Sequence, residues 1–147
     1  MSTRPRNWTL TLCIISGIPV RVHATFPLLL LWVGLEEWSN GQAPWGEILF
    51  VVCLFICVIV HELGHALTAR LFSIPSRDIT LYPFGGVAML NKQPTPRAEL
   101  VIALAGPLTS LFAAALLYYL AAQNFTSLDA PLDLASRLML ANFALSV

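Results

Sequence analysis

Charge is what this sequence has least of. Only 11% of its 147 residues are Asp, Glu, Lys or Arg, against about 25% in an ordinary soluble domain. The eight basic and eight acidic residues cancel. No basic stripe offers the electrostatic footprint of a nucleic-acid binder, so nucleic acid is not an expected partner. Cysteine is scarce and odd in number: Cys13, Cys53 and Cys57, the last two inside an apolar run. That usage excludes a disulfide framework. A signal peptide is not read at the N-terminus either, because Thr9 to Val20 is interrupted by Thr11, Ser16, Gly17 and Pro19 and lacks a compact apolar core.

What fills the chain instead is apolar, 57% of it. A membrane helix needs about 20 apolar residues. Segments 24–38, 48–72 and 100–122 are expected to be such helices, the first being weakest because Glu36 and Glu37 intrude near its end. A fourth run, 134–147, is too short to span and is expected to be partial. Ile18, Val20 and Val22 alternate with Pro19, Arg21 and His23, a strand pattern within a lead-in over 1–23. The stretch 78–90 is rich in Ile, Thr, Tyr and Val, with a Gly85-Gly86 turn, and is expected to be a hairpin. The expected fold class is thus an all-α polytopic membrane protein, a single membrane-embedded core over 1–147. It has about three complete transmembrane helices, a partial fourth and a short β-hairpin on the cytoplasmic side.

The loops set an orientation. Arg4, Arg6 and Arg21 precede the first helix, and Arg70, Arg77, Lys92 and Arg97 follow the second; the intervening loop holds Glu36, Glu37 and Glu47 without Lys or Arg. The positive-inside rule then puts the N-terminus and the loop 68–99 in the cytoplasm. Arg137, at the outer end of the last run, is the exception. The lipid bilayer is the first expected partner.

The chemical signal is His61-Glu62-Leu63-Gly64-His65. Histidines four apart stack on one helix face and can share one tetrahedral Zn2+. Glu62, beside the first ligand, has the position of the general base that activates a water without ligating the metal. Ionisable groups in a membrane helix cost roughly 2.5 kcal/mol or more each, so three within five residues argue for function. Gly64 lets a neighbouring helix approach. Cys57 continues the histidine stripe, but it lies about 12 Å along the axis from His65, too far for one ion. His23 is expected to be an interfacial histidine, and Asp78 and Glu99 fall in loops.

With these motifs in order, the chain resembles the site-2 protease family of intramembrane zinc metalloproteases. HELGH at 61–65 late in a membrane helix, Phe84-Gly85-Gly86 in the following loop and Ala105-Gly106-Pro107 in the next helix carry the resemblance. The lead-in Gly17 to His23 is similar to the bacterial-type branch. The resemblance implies an integral, multi-pass protein of a bacterial cell membrane that cleaves a membrane-spanning protein substrate within the bilayer. It assigns His61 and His65 to zinc, Glu62 to catalysis, and Phe84, Gly85 and Gly86 to a strand surface that binds substrate. It also implies a third ligand, an aspartate in a later Asp-Gly motif. Asn142 to Leu145 resembles the run leading into that motif, so the sequence is expected to stop before its last ligand. Two other readings stay open at this point: a non-catalytic scaffold that captures substrate helices, and a zinc transporter. The latter is weakened because 100–122 holds no His, Asp or Glu. Oligomeric state is not legible.

Overall fold

The computed structural model of the chain describes residues 8–122 and 134–146. The chain opens with β1 (Thr9–Ile15) and β2 (Ile18–His23), paired antiparallel. Their two-residue turn places both Ser16 (φ 51°) and Gly17 (φ 77°) in the left-handed region, which is the backbone twist that tight hairpins require. Helix α1 (Phe26–Ser39) follows, with Pro27 in its first turn where the missing N–H costs nothing. The chain then returns along α2 (Trp45–Leu71), which begins straight after Pro44. Strands β3 (Ser76–Tyr82) and β4 (Gly85–Leu90) form the expected hairpin, and α3 (Pro96–Ala122) and α4 (Leu134–Leu145) complete the order.

The all-α expectation is corrected here. The four strands form one mixed sheet in the order β1-β2-β3-β4. Its centre is a parallel pairing, Val20 opposite Ile79 and Val22 opposite Leu81. Parallel strands need a long crossover, and here α1 and α2 together supply it. Each strand alone is a short period-two pattern; the pairing that unites them joins residues on either side of two helices, so no local signal announces it. The expected lead-in strand over 1–23 is two strands: the alternation at Ile18 to His23 is β2, and Thr9–Ile15 adds β1 as a separate strand.

The count of spanning helices is also corrected. Among the described residues, two helices are long and apolar enough to cross a membrane, α2 and α3, rather than about three. With 14 residues, α1 reaches about 21 Å at ~1.5 Å per residue, short of the ~30 Å hydrocarbon layer. Helix α4 has 12 residues.

The sheet lies against α2 through one face. Val22 and Leu81 pack on Phe55 and Val58, and Phe26 of α1 meets Phe55 edge to face at 4.6 Å. Ile18 and Ile79 close on Ala66 further along. Beyond them, Ala69 of α2 packs on Ala98 and Ile102 of α3. Alternation turns Arg21, Asp78 and Thr80 to the opposite face, where Arg21 pairs with Asp78 at 3.3 Å. At the other end of α2, Arg137 of α4 holds Glu47 through two hydrogen bonds of 2.6 and 2.7 Å and lies 3.9 Å above the Phe50 ring. Arg137, the odd cation of the charge pattern, is thus neutralised in place.

Candidate metal centre

The site forms where α2 and α3 touch. Close approach is possible because both helices carry glycine at the contact. A Cβ on Gly64 would stand 2.9 Å from the Ala105 carbonyl oxygen and 3.1 Å from Thr109 Cβ. A Cβ on Gly106 would run into the His65 ring and come within 2.7 Å of His61 Nε2. Any larger residue at either position would force the helices apart or displace the imidazoles.

Each imidazole is anchored through its Nδ1 by α3. His65 Nδ1 is 2.7 Å from the Ile102 carbonyl oxygen, and His61 Nδ1 is 2.8 Å from Ser110 Oγ. A carbonyl oxygen only accepts, so His65 Nδ1 carries the proton and its Nε2 presents a lone pair. Ser110 is 1% exposed, and its hydroxyl can accept from His61 Nδ1–H or donate to a bare Nδ1. This is the outer-shell pattern that fixes tautomer and ring orientation in histidine metal sites.

The donor geometry fits zinc. Two ring nitrogens sharing a tetrahedral ion at ~2.0–2.1 Å stand about 3.3–3.4 Å apart, and His61 Nε2 and His65 Nε2 are 3.1 Å apart. Two lone pairs that close repel unless a proton or a cation lies between them. Among the described residues, no three His, Cys, Asp or Glu side chains group as a metal cluster. Asp78 is 2% exposed and paired with Arg21 on the far side of the sheet. Glu99 lies in the first turn of α3. His23 Nδ1 is engaged with Thr25 Oγ1 at 2.8 Å.

Glu62 points away from α3, toward the hairpin. Its side chain is within hydrogen-bonding reach of the Ala88 backbone N–H. A Cβ on Gly86 would stand 2.7 Å from Glu62 Cγ and 3.0 Å from Val58 Cγ1. The hairpin therefore brings Gly86 and Ala88 of β4, the outermost strand on this side of the sheet, directly beside Glu62. Gly85 has another reason to be glycine: its φ is 141° and its surroundings are open. Phe84 is not drawn into the centre. It is 84% exposed and stacks on Tyr82 at 5.3 Å, with Tyr82 stacked in turn on His23 at 5.1 Å.

Sequence reasoning missed Ser110, the Ile102 carbonyl and the reason for Gly106. The signal was available in the spacing. Ile102, Gly106 and Ser110 recur every fourth residue and share one face of α3.

The site and fold together define a class: a histidine pair with the spacing of metal ligands, set in membrane-length helices and faced by an open strand. The chain belongs to Peptidase family M50, whose sequence profile matches residues 49–144. It is 40% identical over 104 residues to a zinc metalloprotease of Methanocaldococcus jannaschii, covering 71% of this chain and 30% of that protein. A putative zinc metalloprotease of Synechocystis is 38% identical over 108 residues, 65% of this chain and 28% of that one. Among solved structures, the site-2 protease from Methanocaldococcus jannaschii aligns with a TM-score of 0.73 and 34% identity, over 95% of this chain and 62% of that one. The chain thus spans under a third of the curated relatives it matches. Members of this family are membrane proteins, and α2 and α3 fit insertion.

Proposed function

We propose that this chain forms the zinc-binding core of an intramembrane metalloprotease that hydrolyses peptide bonds in membrane-spanning segments of other proteins. The observation that carries the reading is the division of labour on one turn of α2. His61 and His65 are braced from α3 with their Nε2 atoms 3.1 Å apart, while Glu62, next to them in sequence, faces the edge of β4.

His61 Nε2 and His65 Nε2 would hold zinc. When bound, the metal supplies Lewis-acid polarisation of the scissile carbonyl and of the attacking water. Glu62 takes the proton from that water and returns it to the leaving amine. Ser110 and the Ile102 carbonyl keep both rings in the ligating orientation throughout. Strand β4 is the natural seat for an unwound substrate, which would add as a further strand. Its backbone would then run past Ala88 and Gly86 with a carbonyl near Glu62. Phe84, at the tip of the hairpin, would border that strand. Residues 9–23 and 76–90 are strands of one sheet and so lie together, which fits the like basic character of their two segments; the charge pattern would turn both toward the cytoplasm.

Glu62→Gln tests the reading. The variant of the full protein in lipid nanodiscs should bind zinc as the parent does and lose cleavage of a membrane-spanning substrate. Cleavage at the parental rate would overturn it. The scaffold reading rests on one observation, that no third ligand joins the histidines among the described residues. A parent protein that captures substrate helices but holds no zinc would favour it. The transporter reading is disfavoured because α3 offers the histidine pair a hydroxyl and a carbonyl, not a second set of metal ligands.

A further inference from the structure

Strand β4 ends the sheet, and the hairpin decides which of its backbone groups face outward. The turn at Pro83-Phe84 is two residues long, with Tyr82 paired to Gly85 across it. The pair that closes such a turn is hydrogen-bonded, and bonded and non-bonded pairs alternate from there. Gly85, Val87 and Met89 therefore direct their backbone groups to β3. Asn91 continues that series, donating to the Pro75 carbonyl at 3.1 Å. Gly86, Ala88 and Leu90 instead turn their N–H and C=O groups to the open edge. The Ala88 N–H is the one within reach of Glu62, so the general base already sits on this edge.

Past Ala88 the edge runs into a hollow of about 450 Å³, lined by Ala88, Leu90, Asn91, Lys92, Gln93 and Pro94. That volume is within the range of ligand sites. Lys92 is the one ionisable group of the lining, and it stands between two side chains with amide donors. Among the described residues, no carboxylate pairs with it. Leu90 packs with Ala69 and Ile74, level with the end of α2 at Leu71. The hollow thus lies where the membrane-length helix stops, a short step along the strand from Glu62.

We propose that this hollow is a specificity subsite for the substrate strand, taking an acidic side chain about two to four residues from the scissile bond. The proposal rests on the protease reading above. A strand added to β4 meets Gly86, Ala88 and Leu90 in turn. The Ala88 N–H is engaged by Glu62, so the substrate carbonyl at that position is left out of the ladder, which pins the scissile bond to this register. The substrate residue beside Leu90 is then two further along and one that reaches Lys92 about four, roughly 7–14 Å from the scissile bond. There Lys92 supplies the charge, and the amides of Asn91 and Gln93 donate to the same carboxylate. An acidic residue just outside the membrane-spanning part of a substrate fits that chemistry, and an apolar one gains nothing from it.

Cleavage and binding by the full protein in nanodiscs decide it. Membrane-spanning substrates, their scissile bond mapped by mass spectrometry, carry Glu or Gln at successive positions on either side of that bond. Glu should raise kcat/KM over Gln by about two- to fivefold, the worth of an exposed charge pair, at positions two to four on one side only. Lys92→Gln should erase this preference, and Lys92→Glu should invert it. Arg97→Glu, the same charge change in the first turn of α3 and outside the hollow, should leave it intact. The Glu62→Gln protein, which holds substrate without cutting it, should show the same preference in its dissociation constants. Were the parent to cut none of the substrates, the protease reading would fall, and the binding preference would still decide the subsite. No preference, one that survives Lys92→Glu, or one that extends over every position would overturn the proposal. So would an effect of Lys92→Glu that is equal for Glu and Gln substrates and disappears without anionic lipid, because Lys92 would then hold a headgroup.

Discussion

One turn of α2 meets two partners in opposite ways. Toward α3 it presents His61 and His65 across a contact without spare room: glycine faces it at position 106, and a hydroxyl and a carbonyl fix both rings. Toward β4 it presents Glu62 across a looser contact, a single backbone N–H and the bare Cα of Gly86. Groups that must hold an ion gain from rigidity, since ligand orientation sets affinity. A base that must reach a substrate gains from an accessible edge. Substitutions on the two sides should therefore fail differently.

The largest effect is expected from Gly106→Ala. Its methyl would occupy the space of both imidazoles, and overpacking alone costs about 1–3 kcal/mol. The purified variant should lose stoichiometric zinc by elemental analysis, and all cleavage with it. Gly86→Ala, on the other side, pushes its methyl against Glu62 Cγ. A displacement near 1 Å at a reacting group can cost roughly 100-fold, so cleavage should fall by about that factor while zinc stays bound. If Gly86→Ala also released zinc, the two sides would not be separate and the comparison would break.

The same contrast explains what the sequence made legible. HELGH announced itself because helical spacing puts both histidines on one face, whatever surrounds them. The hairpin was legible from its glycine pair and β-branched flanks, and its bounds, 76–90, lie close to those expected, but the turn falls at Pro83-Phe84 rather than at Gly85-Gly86, which pair with Tyr82 and Leu81 inside β4. The sheet as a whole was not. Its parallel pairing depends on α1 and α2 folding back together, and β1 presents Thr9-Leu10-Thr11-Leu12, an alternation too short to outweigh its apolar setting. The first helix was over-read for a related reason: its apolar run is real, but 14 residues do not span a bilayer. Ser110 stayed hidden because a lone serine in an apolar helix gains meaning only from what stands opposite it, here His61 Nδ1.

Ser110→Ala sharpens the comparison within the α3 side. The His61 ring would lose its anchor while His65 keeps the Ile102 carbonyl. Outer-shell losses of this kind weaken metal binding by about 10–100-fold, which competition with a zinc chelator would read. Thr109→Val is the matched control. Its hydroxyl donates at 2.7 Å to Ala105 of its own helix and touches neither imidazole, so zinc affinity should hold. An equal drop in both variants would mean that helix packing, not ring orientation, governs the site.

The smallest effect belongs to the far end of α2, where Glu47, Arg137 and Phe50 tie α2 to α4. Both charged side chains are about a third exposed, so the pair is worth on the order of 0.2–1 kcal/mol, with a similar increment of about 0.5–1 kcal/mol from the cation over the ring. Arg137→Ala should lower the unfolding temperature slightly and leave zinc content unchanged. The exchanged pair, Glu47→Arg with Arg137→Glu, should recover the ion-pair share but not the share from Phe50, because a carboxylate gains nothing above an aromatic face. The turn that carries His61 and His65 is some 14 residues further along α2, about 21 Å at ~1.5 Å per residue, with apolar packing between. If Arg137→Ala nonetheless reduced cleavage while zinc stayed bound, α4 would be acting on the site through the position of Asn142, which is fully buried one turn further along that helix and hydrogen-bonded to the Leu138 carbonyl at 2.8 Å. Helix α4 would then be a third wall of the active centre, and the division of labour between α3 and β4 would need to include it.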